Sequence, residues 1–342
     1  MRSSAPKLDD VATEAGVSKS TVSRVLNNKI GNGFSVTEDV RQRVLDVAKA
    51  LNYRPNLIAQ SLTKQQIRMI SILGGAHALS DLGNIYQTVV NSATRVLDSV
   101  PGGFDVTVDM SRHEPDGSEL PAWMVDGVIV LAKCTTVTMD ELEKADIPYV
   151  IVNGPSGPSG SSVVPDDVGG TRQAIRHLVK LGHRSIAYAG PRAGHLPGHS
   201  SLADRHDTYL SEMSENGLKI VPGHDKPYKS ATEFIQSAVV KGRATAVVAY
   251  GHMEGLNIMQ AAHTLGIAVP EQLSLICFCD EYANSVMSPG LTFVDLGSKA
   301  MGQTAAELLL KRIEQPQVSK SECIKLDLNL VLRESTAPPV GE

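Results

Sequence analysis

Apolar residues recur with two different spacings along this chain, and the change of spacing divides it. Over residues 8–26 and 37–52 the period is helical, and from residue 67 onward short apolar runs alternate with helical stretches. In the first region Leu8, Val11, Ala12 and Ala15 make one short stripe, and Gly16 can take the left-handed conformation that ends a helix. Val17 reads as a buried turn residue. Ser18 is then placed to cap a second helix, its hydroxyl accepting a free backbone N–H. Val22, Val25 and Leu26 form the buried stripe of that helix, Asn27-Asn28 ends it, and Lys19, Ser20, Ser23 and Arg24 face outward. A third helix is predicted from about Thr37, as its cap, to Asn52, with Val40, Val44, Val47 and Leu51 as its stripe. Three such helices make a unit of about fifty residues, near the lower size limit for independent folding.

Residues 27–36 ("NNKIGNGFSV") join the second and third helices through turn-forming Asn and Gly. The loop reads as a solvated linker or, through Lys29, as a phosphate contact. After it, Pro55 stands just before a segment, Asn56 to Leu62, that allows about two helical turns. So short a helix is unstable alone. It is either a coupling element that forms when something packs on it or a plain linker.

The body reads as α/β. The runs at 69–73, 104–108, 127–131, 148–152, 185–190, 246–250, 273–278 and 291–296 are predicted buried strands, and 174–182 an amphipathic helix closed by Gly182. Repeated strand-then-helix units imply parallel sheets. Two such sheets form a cleft at the carboxyl ends of their strands, the usual place for a small ligand. The Gly/Pro/Ser stretches 154–160 and 190–200 are loops.

Charge changes this picture. The 342 residues carry −5 overall, yet residues 1–68 hold eleven Lys and Arg against six acids, a net +5 that leaves −10 for the rest. A small basic head on an acidic body points to a nucleic-acid contact confined to the head. Composition otherwise excludes more than it adds. No apolar run approaches the roughly 18 residues of a membrane span. No secretory leader is expected from the charged first thirty residues, so the chain is expected in the cytoplasm. Cys134, Cys277, Cys279 and Cys323 are too few and scattered for a disulfide framework, and Cys277 and Cys279 read as strand residues facing one side. There is no phosphate-binding loop, nucleophile elbow or H-E-x-x-H helix, so no enzyme, metal or cofactor is expected. His177 and His183 read as structural.

The stretches "LDDVATEAGVSKSTVSRVLN", "RQRVLDVAKALNYRPNLIAQSL", "HLVKLGHRSIAYAGP" and "LVLREST" resemble the lactose/galactose repressor (LacI/GalR) family of bacterial transcription regulators, from Leu8 to Thr336. The resemblance implies an N-terminal all-α helix-turn-helix domain and a periplasmic-binding-protein-like core of two doubly wound parallel-sheet subdomains. It divides the chain into a DNA-binding domain (1–55), a hinge helix (56–66) and a core (67–342). Within the core it implies an N-subdomain of about 67–183 and 293–324 and a C-subdomain of about 184–292 and 325–337, with crossovers near 184, 293 and 325. Lys19, Ser20 and Arg24 take the base-reading positions, and Ser18, Thr21 and Ser23 the phosphate positions. Asn56, Ala59 and Leu62 take the minor-groove hinge positions, with Leu62 as the wedge that kinks the DNA.

For the effector cleft the resemblance points to Arg205, Tyr86, Tyr228, His252 and Cys279. Arg205 falls where members clamp a carboxylate or sugar hydroxyls, or else forms a surface or interdomain ion pair; Tyr86 and Tyr228 fall near aromatic stacking positions, or else are core. Two departures stand out. Where the family carries Asn-Asp this chain has Gly251 and His252, and where it carries paired Asp it has Cys279 and Asp280. A cysteine cannot replace a bidentate acceptor, so the pocket is expected to differ from that of a typical pyranose binder; Asp280 reads as structural. The implied partners are a double-stranded operator, a small effector that is a sugar or sugar derivative, and a second copy of the chain, in the cytoplasm and associated with the nucleoid. The alternative is a receptor or enzyme of the same core fold without DNA function.

Overall fold

A computed structural model describes residues 6–26, 36–51, 53, 67–74, 85–109, 117–118, 120–121, 124–191, 198–223, 228–280, 288–316 and 321–340. The chain divides into two compact units, Met1–Ile67 and Arg68–Glu342.

The first unit is helical. Helix α1 (Leu8–Ala15) ends at Gly16, whose φ of 66° is the left-handed turn expected there. Helix α2 is Lys19–Leu26, and α3 is Glu38–Ala50 with the Thr37 hydroxyl accepting from the Val40 N–H at 3.4 Å. Val11, Ala12, Ala15, Val22, Val25, Val44 and Ala48 close the core, and Leu8, Val17, Leu26, Val47 and Leu51 pack around it. Ala48, not Val40, completes the α3 stripe. Val40 is half-buried and lies outside the apolar cluster. Arg43 links α3 to the end of α1, its Nε donating to the Ala15 carbonyl at 3.1 Å.

The second unit holds two sheets. The first orders its strands β10-β5-β4-β3-β1-β2, all parallel: β1 (Met69–Leu73), β2 (Asp105–Val108), β3 (Gly127–Leu131), β4 (Tyr149–Val152), β5 (Ser161–Pro165) and β10 (Cys323–Leu326). The second orders β11-β9-β8-β7-β6: β6 (Ile186–Ala189), β7 (Ala246–Ala249), β8 (Ser274–Cys279), β9 (Thr292–Asp295) and β11 (Asn329–Val331), with only β11 antiparallel to its neighbour. The all-apolar runs are central strands buried on both faces, as parallel sheets require. Residues 104–108 were expected to be buried as well. Instead β2 is an edge strand with no fully buried residue, because it pairs only with β1 and its other edge is left uncovered by any strand among the described residues.

Helices α4 (Ile85–Ser99) and α10 (Ser298–Glu314) cover one face of the first sheet, and α5 (Thr136–Lys144) contributes Leu142 to the other. Helices α4 and α10 approach closely at Gly302, where a Cβ would stand 2.3 Å from the Val89 carbonyl oxygen. On the second sheet, α6 (Asp167–Leu181) and α7 (Ser200–Glu215) cover one face. On the other, α8 (Ala231–Phe234, continuing as a π-helix over Ile235–Lys241) packs with α9 (His252–Thr264).

The crossovers differ from expectation. Helix α6 packs its Ala174, Ile175 and Leu178 against Ile186, Tyr188 and Phe278 of the second sheet, so the chain first changes sheet near residue 166, not 184. Periodicity reveals that a helix has a buried face but not which sheet receives it. The return passes through Leu296 and Gly297, between β9 and α10, and the last crossover falls at 327–328, between β10 and β11.

His177 and His183 anchor the C-terminal tail. His177 Nε2 lies 3.2 Å from the Thr336 hydroxyl, and buried His183 contacts Thr245 Oγ1, Ser274 Oγ and the Ala337 carbonyl at 2.9–3.0 Å. Ser335, fully buried, receives the Thr292 N–H at 2.8 Å. Among the described residues no helix is long and apolar enough to cross a membrane, and no three His, Cys, Asp or Glu side chains are grouped to hold a metal.

Candidate functional site

Helix α2 has two chemically distinct sides because Val22 and Val25 must be buried against α1 and α3. Ser20 and Arg24 stand one turn apart on the exposed side. Lys19 is exposed too, its Nζ 2.6 Å from Asp9 Oδ1 in a pair with both side chains more than half exposed. Such a pair contributes only about 0–1 kcal/mol, so an anion can displace it readily. Ser18 caps the helix, accepting from the Thr21 N–H at 3.2 Å and lying 2.9 Å from both the Ser20 and Thr21 hydroxyls. Thr21 and Ser23 are half-buried on the flanks. Asn56, Ala59 and Leu62, the expected hinge positions, lie outside the described residues.

In the second unit the carboxyl ends of the strands collect a polar network. Arg205, on α7 and only 5% exposed, donates from Nε to Asp167 Oδ1 at 2.7 Å and from a terminal nitrogen to the Tyr250 carbonyl. Its guanidinium lies 4.1 Å from the Phe278 ring centroid and 4.7 Å from that of Tyr250. Burial works against its charge, but Asp167, Tyr250 and Tyr188 together outweigh it and raise its pKa. Arg205 does form an ion pair, though one buried within the second-sheet subdomain and neither at the surface nor between subdomains.

Tyr86 opens α4 from the first-sheet subdomain. Its hydroxyl accepts from Asn153 Nδ2 at 2.9 Å, and burial pushes its pKa well above the ordinary phenol value. Asn153 follows β4 with a left-handed φ of 59°, which Asn tolerates better than most side chains. Its carbonyl faces His199 Nε2 at 2.6 Å, while His199 Nδ1 accepts from the Ser201 N–H at 3.2 Å. Against the carbonyl Nε2 is the donor, which leaves Nδ1 to accept. Ser201 in turn meets the Tyr250 hydroxyl at 2.7 Å. A continuous chain of polar contacts thus runs from Tyr86 through Asn153, His199 and Ser201 to Tyr250.

Asp280, at the end of β8, links the subdomains a second time. It accepts from the Ser298 hydroxyl at the start of α10, at 2.5 Å. Burial raises its pKa, against the opposing pull of the Ser298 and Thr88 hydroxyls. This geometry fits the structural role expected of it.

Two expected effector residues lie elsewhere. Tyr228 packs on Phe234, ring centroids 5.3 Å apart, and lines an outer hollow of about 290 Å³ between α8 and α9. Cys279 is 1% exposed in the apolar cluster beneath those helices, its sulfur 3.8 Å from that of Cys277. The strand alternation that puts Cys277 and Cys279 on one face, as expected, turns both away from Arg205. His252 is half-buried at the start of α9, and its Nε2 is buried without a hydrogen-bond partner. Tyr86 alone among the expected effector residues joins Arg205 in the network. Asn153, Asp167, His199, Ser201 and Tyr250 escaped the sequence reading. Asn153 and Tyr250 each directly follow a strand's carboxyl end, the signal that could have found them.

Comparison with known proteins accounts for both units. Residues 7–56 match the family model for bacterial regulatory proteins of the lacI family, and residues 175–336 match that of a periplasmic binding protein-like domain. The HTH-type transcriptional regulator RegA of Clostridium saccharobutylicum is 30% identical over 97% of this chain and 99% of its own. The chain belongs to the LacI family. Two solved structures share the fold across nearly the whole length. A lac repressor dimer bound to operator and the anti-inducer ONPF superimposes with a TM-score of 0.73 at 25% identity, covering 97% of this chain and 99% of that one. The transcriptional regulator CelR in complex with cellobiose gives 0.65 at 26%, covering 96% and 99%. This LacI-family protein is therefore a helix-turn-helix transcriptional regulator and not an enzyme.

Proposed function

We propose that this LacI-family regulator is a cytoplasmic, nucleoid-associated repressor whose dimer binds a pseudo-palindromic operator and responds to a small effector, a sugar or sugar derivative. The observation that carries the DNA reading is the two-sidedness of α2: Val22 and Val25 are buried while Ser20 and Arg24 are exposed one turn apart. Arg24 is the guanine reader, Lys19 and Ser20 complete the base contacts, and Ser18, Thr21 and Ser23 approach phosphates. Asn56, Ala59 and Leu62 form the minor-groove hinge, with 1–55 the DNA-binding domain and 67–342 the effector and dimerisation core. The cleft reading is supported by the Tyr86-to-Tyr250 network, which joins the two subdomains, and by the cellobiose bound to a relative of the same fold. Asn153, Ser201, Tyr250 and His252 are the groups an effector meets there. An effector that binds one arrangement of the subdomains better than the other shifts the hinge and hence DNA affinity.

The test is selection of a binding site by the full-length protein from randomised DNA, followed by titration. Arg24→Ala should weaken operator binding about 10- to 100-fold, the ~1–3 kcal/mol of one bidentate base contact, and relax the base preference at one position. Affinity should also fall steeply with salt. Unchanged affinity in a folded Arg24→Ala protein would remove the reading role.

A further inference from the structure

The basic head is not basic where its first two helices lie. Residues 1–68 carry a net +5, yet residues 8–26, which form α1, the turn and α2, set Lys19 and Arg24 against Asp9, Asp10 and Glu14, a net −1. The cationic surplus of the head lies outside them. The acids of α1 differ in what they do. Asp10 closes the start of the helix, its Oδ2 accepting from the Lys7 N–H at 2.6 Å. Asp9 instead reaches across to α2, where its Oδ1 lies 2.6 Å from Lys19 Nζ. Glu14 is exposed near the end of α1.

The pairing decides what Lys19 can do. An ammonium has three N–H donors. One is spent on Asp9, and the others remain for a neutral acceptor such as guanine O6 or N7, which approaches without disturbing the carboxylate. A phosphate is different. It competes with Asp9 for the same positive charge, and the two anions repel each other. The pair is weak on its own, with the Asp9 and Lys19 side chains 55% and 61% exposed. The selectivity therefore comes less from breaking it than from what a phosphate leaves behind, an unmatched Asp9 carboxylate beside a second anion.

Resting on the reading of α2 as the recognition helix, we propose that Asp9 is a specificity-determining residue for DNA binding. It ties Lys19 to base reading and penalises the contact of Lys19 with phosphates, so that the protein holds unrelated DNA weakly while keeping its operator. Asp9 acts through Lys19.

The experiment is a salt titration of the full-length protein on two duplexes, the operator selected from randomised DNA and an unrelated sequence of equal length. Asp9→Asn should tighten binding to the unrelated duplex about three- to tenfold at roughly 0.1 M salt. It should also steepen the log–log salt slope by about 0.9 for each helix-turn-helix engaged, the signature of one added phosphate contact. Operator affinity should change less, so the specificity ratio narrows. Asp9 is exposed, so the variant should fold as the wild type does. Two further variants separate the pair from net charge. Glu14→Gln removes an exposed charge from the same helix that is not paired with Lys19, and should reproduce little of the gain. In a Lys19→Gln background, Asp9→Asn should lose its effect on the unrelated duplex. An unchanged slope in Asp9→Asn, equal gains on both duplexes, an equal gain from Glu14→Gln, or a gain that survives in Lys19→Gln would overturn the proposal and leave the recognition-helix reading standing. Wild-type protein that binds neither duplex at low salt would overturn both.

Discussion

Asp167→Ala isolates the energetics of the cleft. Arg205 and Asp167 have side chains 6% and 4% exposed and meet at 2.7 Å. Removing the carboxylate leaves a guanidinium in a site that Tyr250 and Phe278 shield from water, with the Tyr250 carbonyl still bonded to it. An uncompensated buried charge of this kind costs about 3–5 kcal/mol. For a unit of this size about 2–4 °C of Tm accompanies each kcal/mol, so the core transition should drop by on the order of 10 °C. Arg205→Met alone should cost a similar amount, because it strands Asp167. The double variant Arg205→Met with Asp167→Ala should lose less than the two single losses added together, since neither charge is left alone. Differential scanning calorimetry of the four proteins completes the cycle. Single losses within about 1 kcal/mol of wild type, or losses that simply add in the double variant, would show that the pair is solvated and that Arg205 is available to a ligand.

Two further outcomes follow from the same structure. Gly302→Ala should destabilise the core by about 1–3 kcal/mol, because its Cβ would stand 2.3 Å from the Val89 carbonyl and α4 must move away from α10; an unchanged Tm would contradict the close approach. Burial lowers the His183 pKa below its ordinary 6.5, with the Ala337 carbonyl opposing, so its stability contribution is present above pH 6.5 and is lost as pH falls through the lowered folded value. Tm should therefore decline on acidification from pH 7, less steeply in His183→Gln, and identical profiles for the two proteins would refute the assignment.

Much of the protein was legible without coordinates, for local reasons. Gly16 ends α1 and Ser18 starts α2 through groups one to three residues away, so caps, turn and buried stripe of the helix-turn-helix follow from spacing alone. The all-apolar runs 127–131 and 148–152 announced central strands because a strand buried on both faces leaves no polar positions. Edges were harder. β5 (Ser161–Pro165) hides its identity behind Ser161 and Ser162, and β11 spans only Asn329–Val331.

What tertiary structure alone decided is which surfaces meet. The amphipathic pattern of α6 is the same whichever sheet it covers, so its attachment to the second sheet, and with it the crossover at 166, came only from packing. Arg205 could clamp a ligand or pair with an acid. The choice depends on Asp167, 38 residues earlier, reaching it at 2.7 Å. Cys279 and Tyr228 looked like cleft residues by position and turned out to face the opposite side of the second sheet. Periodicity acts over a few residues and records burial. Contacts between distant residues depend on how whole elements dock, which no local pattern encodes.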